Sequence, residues 1–241
     1  MPLVALGIFH SLGMAQQFNS DNYLTMPHGT CTFALTTGER NSAFVNSFAL
    51  FPRWEFFAQA FLFREKKEQE IPQHFSTTVY AKYMFYENNS KTGGGAVFLG
   101  FGKAPGYFQK GDYTPLHKSY WTALPVTIPF FDNAVSWDIM PGATLDLASG
   151  DESKTAWGFT WSTRLAVYKI IPKSAIVGEI YGTDGDLFSK PEYKIGIRWE
   201  PNDTIIPAFT FSSALDGSDA AGFEIGVVIF TPQFLKIGKG K

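Results

Sequence analysis

The ionisable residues Glu55, Lys82, Asp138, Asp146, Arg164, Glu179, Lys194, Arg198 and Glu224 mostly stand between apolar neighbours on both sides. Side chains alternate faces along an extended chain, so each of them points away from the greasy residues beside it. Two kinds of chemistry suit acids and bases spread over one wet face. They can pair across neighbouring strands, as Glu179 could with Lys194 or Arg198. They can also line a water-filled passage and select what enters it. One ion-pair lattice can do both.

Catalysis finds less support. The histidines are His10, His28, His74 and His117, and none shares a strand face with a Ser and an acid at useful spacing. No G-x-S-x-G occurs. A Ser–His hydrolase at a rim is the one enzymatic alternative, because triads assemble from distant sequence. Asp138 and Asp146 share a face but lie about 27 Å apart on an extended strand, too far for a glycosidase pair. Thr183–Asp186 and Asp216–Asp219 carry oxygen ligands without the EF-hand spacing and read as solvated turns. Cys31 is the single cysteine, so there is no intrachain disulfide and no Cys/His metal cluster. No catalytic residue, metal or cofactor is expected. A net charge of −2 gives no basic field for nucleic acid.

The charges need strands to hold them. Alternation is clearest in Val135–Leu147. Its odd positions include Val135, Trp137, Ile139, Leu145 and Leu147, and its even positions Ser136, Asp138, Thr144 and Asp146. The same rhythm predicts strands over 29–37, 42–51, 54–63, 75–86, 94–103, 119–130, 134–147, 155–168, 174–182, 191–200, 204–213 and 222–231. The outward set is aromatic or branched: Trp54, Val79, Leu99, Trp157, Ile195 and Phe223 are examples. Pro125, Pro129, Pro141 and Pro207 fall inside these strands, where each removes a ladder bond. Strand 42–51 alternates poorly, because Asn46 shares a parity with Phe44, Phe48 and Leu50.

Connections alternate too. Phe51–Arg53, Phe131–Asn133 and Glu200–Asp203 are tight, while 64–74, 103–118 and 183–190 are long and polar. Aromatics make up 17% of the chain and charged residues 17%, the latter against about 25% in ordinary soluble domains. No run of about 20 apolar residues offers a membrane helix. An even number of two-faced strands, with short turns at one end and long loops at the other, predicts an all-β fold. That fold is a closed antiparallel up-and-down transmembrane barrel of about 12 strands. Both termini then lie at the short-turn, periplasmic end.

The hairpin Ser47–Phe61 resembles the strand-turn-strand of Gram-negative outer-membrane barrels. Tyr193–Thr204 and Gly222–Phe230 are similar to the last strands of small outer-membrane transporters grouped with the MetA-pathway of phenol degradation family. The resemblance implies a channel or transporter for small solutes and carries over no functional residue. One departure stands out. Such barrels usually end on an aromatic residue that the insertion machinery reads, whereas here Phe230 and Phe234 precede Leu235–Lys241.

Residues 1–15 form a short apolar run ending Gly13-Met14-Ala15, which predicts a signal peptide cleaved after Ala15. Residues 16–241 then form one barrel domain with a short periplasmic tail. The leading expectation is an outer-membrane channel passing small solutes through a lumen lined by the nine charged residues above. The loop bearing Tyr107, Phe108, Tyr113 and His117 would be a constriction. Expected partners are outer-membrane lipid, lipopolysaccharide facing the mixed-charge segment Arg64–Glu70, a small-molecule solute, and further copies of the chain in a homo-oligomer. The alternatives are a filled-lumen barrel serving as anchor or adaptor for a partner protein, and a soluble secreted β-sandwich binding carbohydrate.

Overall fold

The structure, a computed structural model, describes residues 18–39, 41–64, 74–103, 107–109, 112–114, 116–148, 155–217 and 221–235. The expected signal segment 1–15 lies outside them, as does the end of the tail. Alternation becomes strand: β1 (Cys31–Gly38), β2 (Asn41–Phe51), β3 (Trp54–Phe63), β4 (His74–Glu87) and β5 (Gly94–Lys103) follow one another as hairpins. A small two-stranded ribbon follows, β6 (Tyr107–Gln109) with β7 (Asp112–Thr114). Then come β8 (Leu116–Ala123), β9 (Val126–Phe130), β10 (Val135–Ala148), β11 (Thr155–Tyr168), β12 (Ser174–Gly185), β13 (Ser189–Trp199), β14 (Ile205–Ala214) and β15 (Gly222–Phe230).

Each wall strand pairs antiparallel with its neighbour in sequence, and β1 pairs with β15 from Thr32 opposite Phe230 to Gly38 opposite Glu224. That last ladder closes the sheet on itself. With β8 and β9 taken as one interrupted strand, the wall has 12 strands. A closed ladder leaves no edge, which a strand-built wall in lipid requires. The β-sandwich alternative is therefore wrong: one sheet curls into a barrel instead of two sheets stacking.

The expected single strand 119–130 is broken at Leu124-Pro125. Pro125 lacks an N–H, yet the ladder continues around it. Leu124 N donates to Pro141 O at 2.8 Å, and Ala96 N donates to Pro125 O at 3.0 Å. Pro129, Pro141 and Pro207 are carried inside β9, β10 and β14. Asn46 explains the poor alternation of β2. It is buried, and its side-chain amide donates to the carbonyl of Thr32 at 3.2 Å. A polar side chain on the greasy parity is thus satisfied by backbone.

The short connections cluster at one end and bend hard. Arg53, Phe131, Asp132, Asn133, Lys169 and Lys173 all have positive φ, between 51° and 69°, the left-handed conformation that hairpin turns demand. The outer surface is apolar: Leu99 is 62% exposed, Phe101 58%, Ile195 54% and Phe223 65%. Water would not tolerate so continuous a belt, whereas hydrocarbon does. A charge placed in this belt should be costly. Ile195→Arg is expected to lower folding stability in lipid vesicles by roughly 2–4 kcal/mol, measured by reversible denaturant titration. A change below about 0.5 kcal/mol, the usual size for an ordinary surface site, would contradict the lipid-facing assignment.

Candidate functional site

The lumen holds the chain's own N-terminal segment. Ahead of β1, residues 18–30 turn inward and cross the barrel as an extended strap. Phe18, Ser20, Asp21, Tyr23, Thr25 and Met26 are all buried in it. A strap in this position has main-chain groups that neither a helix nor a ladder satisfies. The wall supplies their partners. Asn19 N donates to Glu179 Oε2 at 2.9 Å, and Ser20 N donates to Glu179 Oε1. Arg164 Nη1 donates to Ser20 O at 2.8 Å. Tyr23 N donates to Thr127 Oγ1 at 3.1 Å, and Met26 N to Glu55 Oε2 at 3.2 Å. Lys82 Nζ donates to Leu24 O at 2.7 Å and pairs with the Asp21 carboxylate at 3.2 Å.

Register explains why these groups meet. Asp138 lies opposite Arg164, Arg164 opposite Glu179, and Glu179 opposite Lys194, one residue on each of β10 to β13. The row alternates in sign, as neighbouring lumen charges must to offset their desolvation. Arg164 also binds Asp138 Oδ2 through Nε at 3.0 Å and Nη2 at 2.8 Å. Elsewhere on the wall, Glu55 on β3 stands opposite Lys82 on β4, and Ser47 Oγ donates to Glu55 Oε1 at 2.6 Å. Apolar contacts finish the seat: Phe18 packs on Ala166, Ala175 and Val177, and Tyr23 on Met84 and Ala96. Burial and the nearby Glu87 carboxylate push the Tyr23 phenol above its usual range, so it sits neutral.

The strap leaves the lumen at Gly29, whose φ is +76°. There the C-terminal segment closes over it. Phe234 N donates to Gly29 O at 2.7 Å, and Gln233 Nε2 to His28 O at 2.7 Å. A Cβ at position 29 would collide with the backbone of Leu235, so glycine is required for both the turn and the close approach.

Toward the loop end a cavity of about 200 Å³ remains above the strap. Its floor is Phe18, Asn19 and Asp21. One wall carries Tyr80, Phe98, Trp121 and Met140, and the other Asn41, Gln59, Lys194 and Glu224. Lys194 Nζ pairs with Glu224 Oε2 at 2.6 Å. The aromatic wall is tightly packed: Phe57 and Tyr80 stack with ring centroids 4.4 Å apart, and Trp121 lies tilted against Tyr80 at 4.9 Å. Gly100 makes room for Trp121, since a Cβ there would overlap the indole.

All nine charged residues singled out in the sequence are buried, but they fall into four different settings. Glu55, Lys82, Asp138, Arg164 and Glu179 converge on the strap. Lys194 and Glu224 border the cavity. Arg198 turns to the short-turn rim, where it meets Glu200 and the Tyr168 hydroxyl. Asp146 stands apart near the loop end, with Thr144 Oγ1 at 3.4 Å. The expected pairing of Glu179 with Lys194 or Arg198 gives way to other partners, because strap amides occupy the Glu179 carboxylate. Of the expected constriction residues, Tyr107 and Phe108 lie on β6, Tyr113 on β7 and His117 on the wall strand β8; their side chains lie outside the described ones. The strap and its ligand Thr127 went unforeseen. The one available signal was the Asx-rich run Asn19-Ser-Asp-Asn22 placed just before the first strand.

No family model and no curated protein matches the chain. Solved structures do. The KdgM porin in complex with disordered oligogalacturonate aligns with a TM-score of 0.57 at 11% identity, covering 83% of this chain and 98% of that one. The COG4313 outer membrane channel from Pseudomonas putida F1 aligns at 0.51 and 10% identity, covering 89% and 99%. The fold is that of outer-membrane porin barrels. At such identity the shared property is the fold of the wall.

The buried pair Asp138–Arg164 gives a direct test. Arg164→Met strands Asp138 and Glu179 without their cation, and is expected to cost about 3–5 kcal/mol. Adding Asp138→Asn should recover part of that loss. A double-mutant cycle on folding stability checks it, and additive effects would contradict the coupling.

Proposed function

We propose that the chain is a bacterial outer-membrane channel for small solutes, with the strap narrowing its lumen at the periplasmic end. The observation that carries this reading is a closed wall of outer-membrane porin fold, with an apolar outside and a charged inside. Short turns, the exit of the strap at Gly29 and the C-terminal segment share one end of the barrel, the periplasmic end in proteins of this architecture. The β6–β7 ribbon between β5 and β8 is the candidate constriction at the outer mouth. The likeness of Tyr193–Thr204 and Gly222–Phe230 to transporters grouped with the MetA-pathway of phenol degradation family supports a transport role. The solved neighbours named above are a porin and a channel, which supports a non-enzymatic barrel.

In this reading the lumen charges have a double task. They hold the strap, and those left over at the cavity meet the solute. Conduction then requires the strap to shift or to leave a side passage, so the resting conductance is small. The strap favours one other reading, a barrel with a permanently filled lumen that anchors a partner.

Planar-bilayer recording separates the two. The full chain is expected to give small or brief openings. A chain carrying Ser20→Pro and Asp21→Ala loses the Ser20 N–H bond to Glu179 and the Asp21 pair with Lys82. Its time-averaged conductance should rise at least about tenfold, the change that a shift of about 1.4 kcal/mol in the strap equilibrium produces. Silence from both proteins, each folded by heat-modifiable gel mobility, would reject the channel and leave the anchor.

A further inference from the structure

The cavity above the strap has two unlike walls, and together they specify a ligand. This inference rests on the channel reading and names its solute class. On one side the rings of Tyr80, Phe98 and Trp121 pack into a contiguous cluster of tilted rings, with Phe98 and Trp121 centroids 5.9 Å apart. Tyr80 and Phe98 are buried behind, while Trp121 is half-buried and borders the space. An aromatic face of this kind takes the flat apolar side of a ring. On the other side stand the amides of Asn41 and Gln59 and the Lys194–Glu224 pair. A ligand that expels water from these groups must return hydrogen bonds to them, or each is left unsatisfied at considerable cost. A purely apolar ring fails that requirement.

Charge narrows the class further. Lys194 is neutralised by Glu224, and Asp21 on the floor is neutralised by Lys82. A carboxylated ligand would find no uncommitted cation among the described lining residues, and a cationic one would have to break an existing pair. Either would be desolvated without compensation. Size sets the last limit. A cavity of about 150 Å³ admits benzene, so the roughly 200 Å³ here admits one ring with its substituents. We propose that this cavity is a binding subsite for a single uncharged, polyhydroxylated ring, a neutral pyranoside in chemical class. Its apolar face would lie on Trp121 and its hydroxyls would meet Gln59 and the Lys194–Glu224 pair.

The test uses the full chain in planar bilayers, with methyl glucoside, glucuronate and phenol as probes of ion-current block. Methyl glucoside should block at the lowest concentration. Glucuronate, which adds a carboxylate, and phenol, which lacks the ring of hydroxyls, should each need at least about tenfold more. Trp121→Ala should weaken the glucoside block by roughly tenfold while heat-modifiable mobility is retained. Gln59→Ala, which removes no ring packing, should weaken it in the same direction. Ion current without glucoside block, or tighter block by glucuronate or phenol, overturns the subsite and leaves the channel standing. Absence of current from the full chain and from the strap-weakened chain overturns the channel reading itself, and the subsite with it.

Discussion

The structure depends on one exchange of hydrogen bonds: extended main chain inside the barrel is satisfied by charged side chains of the wall. An N–H or carbonyl in the lumen without a partner is costly, and so is a buried carboxylate or guanidinium. Here each solves the other's problem. Glu179 accepts two strap amides, Arg164 donates to a strap carbonyl while gripping Asp138, and Lys82 reaches both Leu24 O and Asp21. Glu55, Lys82, Asp138, Arg164 and Glu179 are neither free pore ligands nor simple cross-strand pairs; they form one side of an interface whose other side precedes β1 in sequence.

That interface shapes the rest of the molecule. The strap reaches its seat only because Gly29 turns sharply where the C-terminal segment crosses it, which ties the strap's exit and the C-terminal segment to one rim. The seat lies toward the short-turn end, so the lumen is divided. Below are the strap and its charges, and above is a cavity with an aromatic wall and a polar one. Outside, the apolar belt is indifferent to this division, since it answers to lipid and not to the lumen.

Much of this was legible in the sequence because a strand's period is two. The inward parity of Asp138, Arg164 and Glu179 and the outward parity of Leu99, Ile195 and Phe223 follow from alternation alone. The even strand count and the two classes of connection gave the barrel. What alternation does not encode is anything without a period. The strap has no repeat, and its contacts are long-range, from Ser20 to Glu179. Partner choice was illegible for the same reason. Parity places Glu179 and Lys194 on one face, but only the competing strap amides and Glu224 decide what each one binds. Pro125 lies inside the expected strand 119–130 and interrupts it; a proline can end a strand or break it, and the difference lies in whether neighbouring bonds, here those of Ala96 and Leu124, bridge the gap.

Hydrogen exchange of the strap amides in the membrane-embedded protein, read by mass spectrometry, tests the central claim most directly. The account predicts slow exchange at Ser20, Tyr23 and Met26, whose N–H groups donate to Glu179, Thr127 and Glu55, with Glu55→Ala and Glu179→Ala speeding their own partners. Exchange of these amides at the rate of a free peptide, unchanged by either substitution, would mean that the strap is not held in the lumen and would contradict the account.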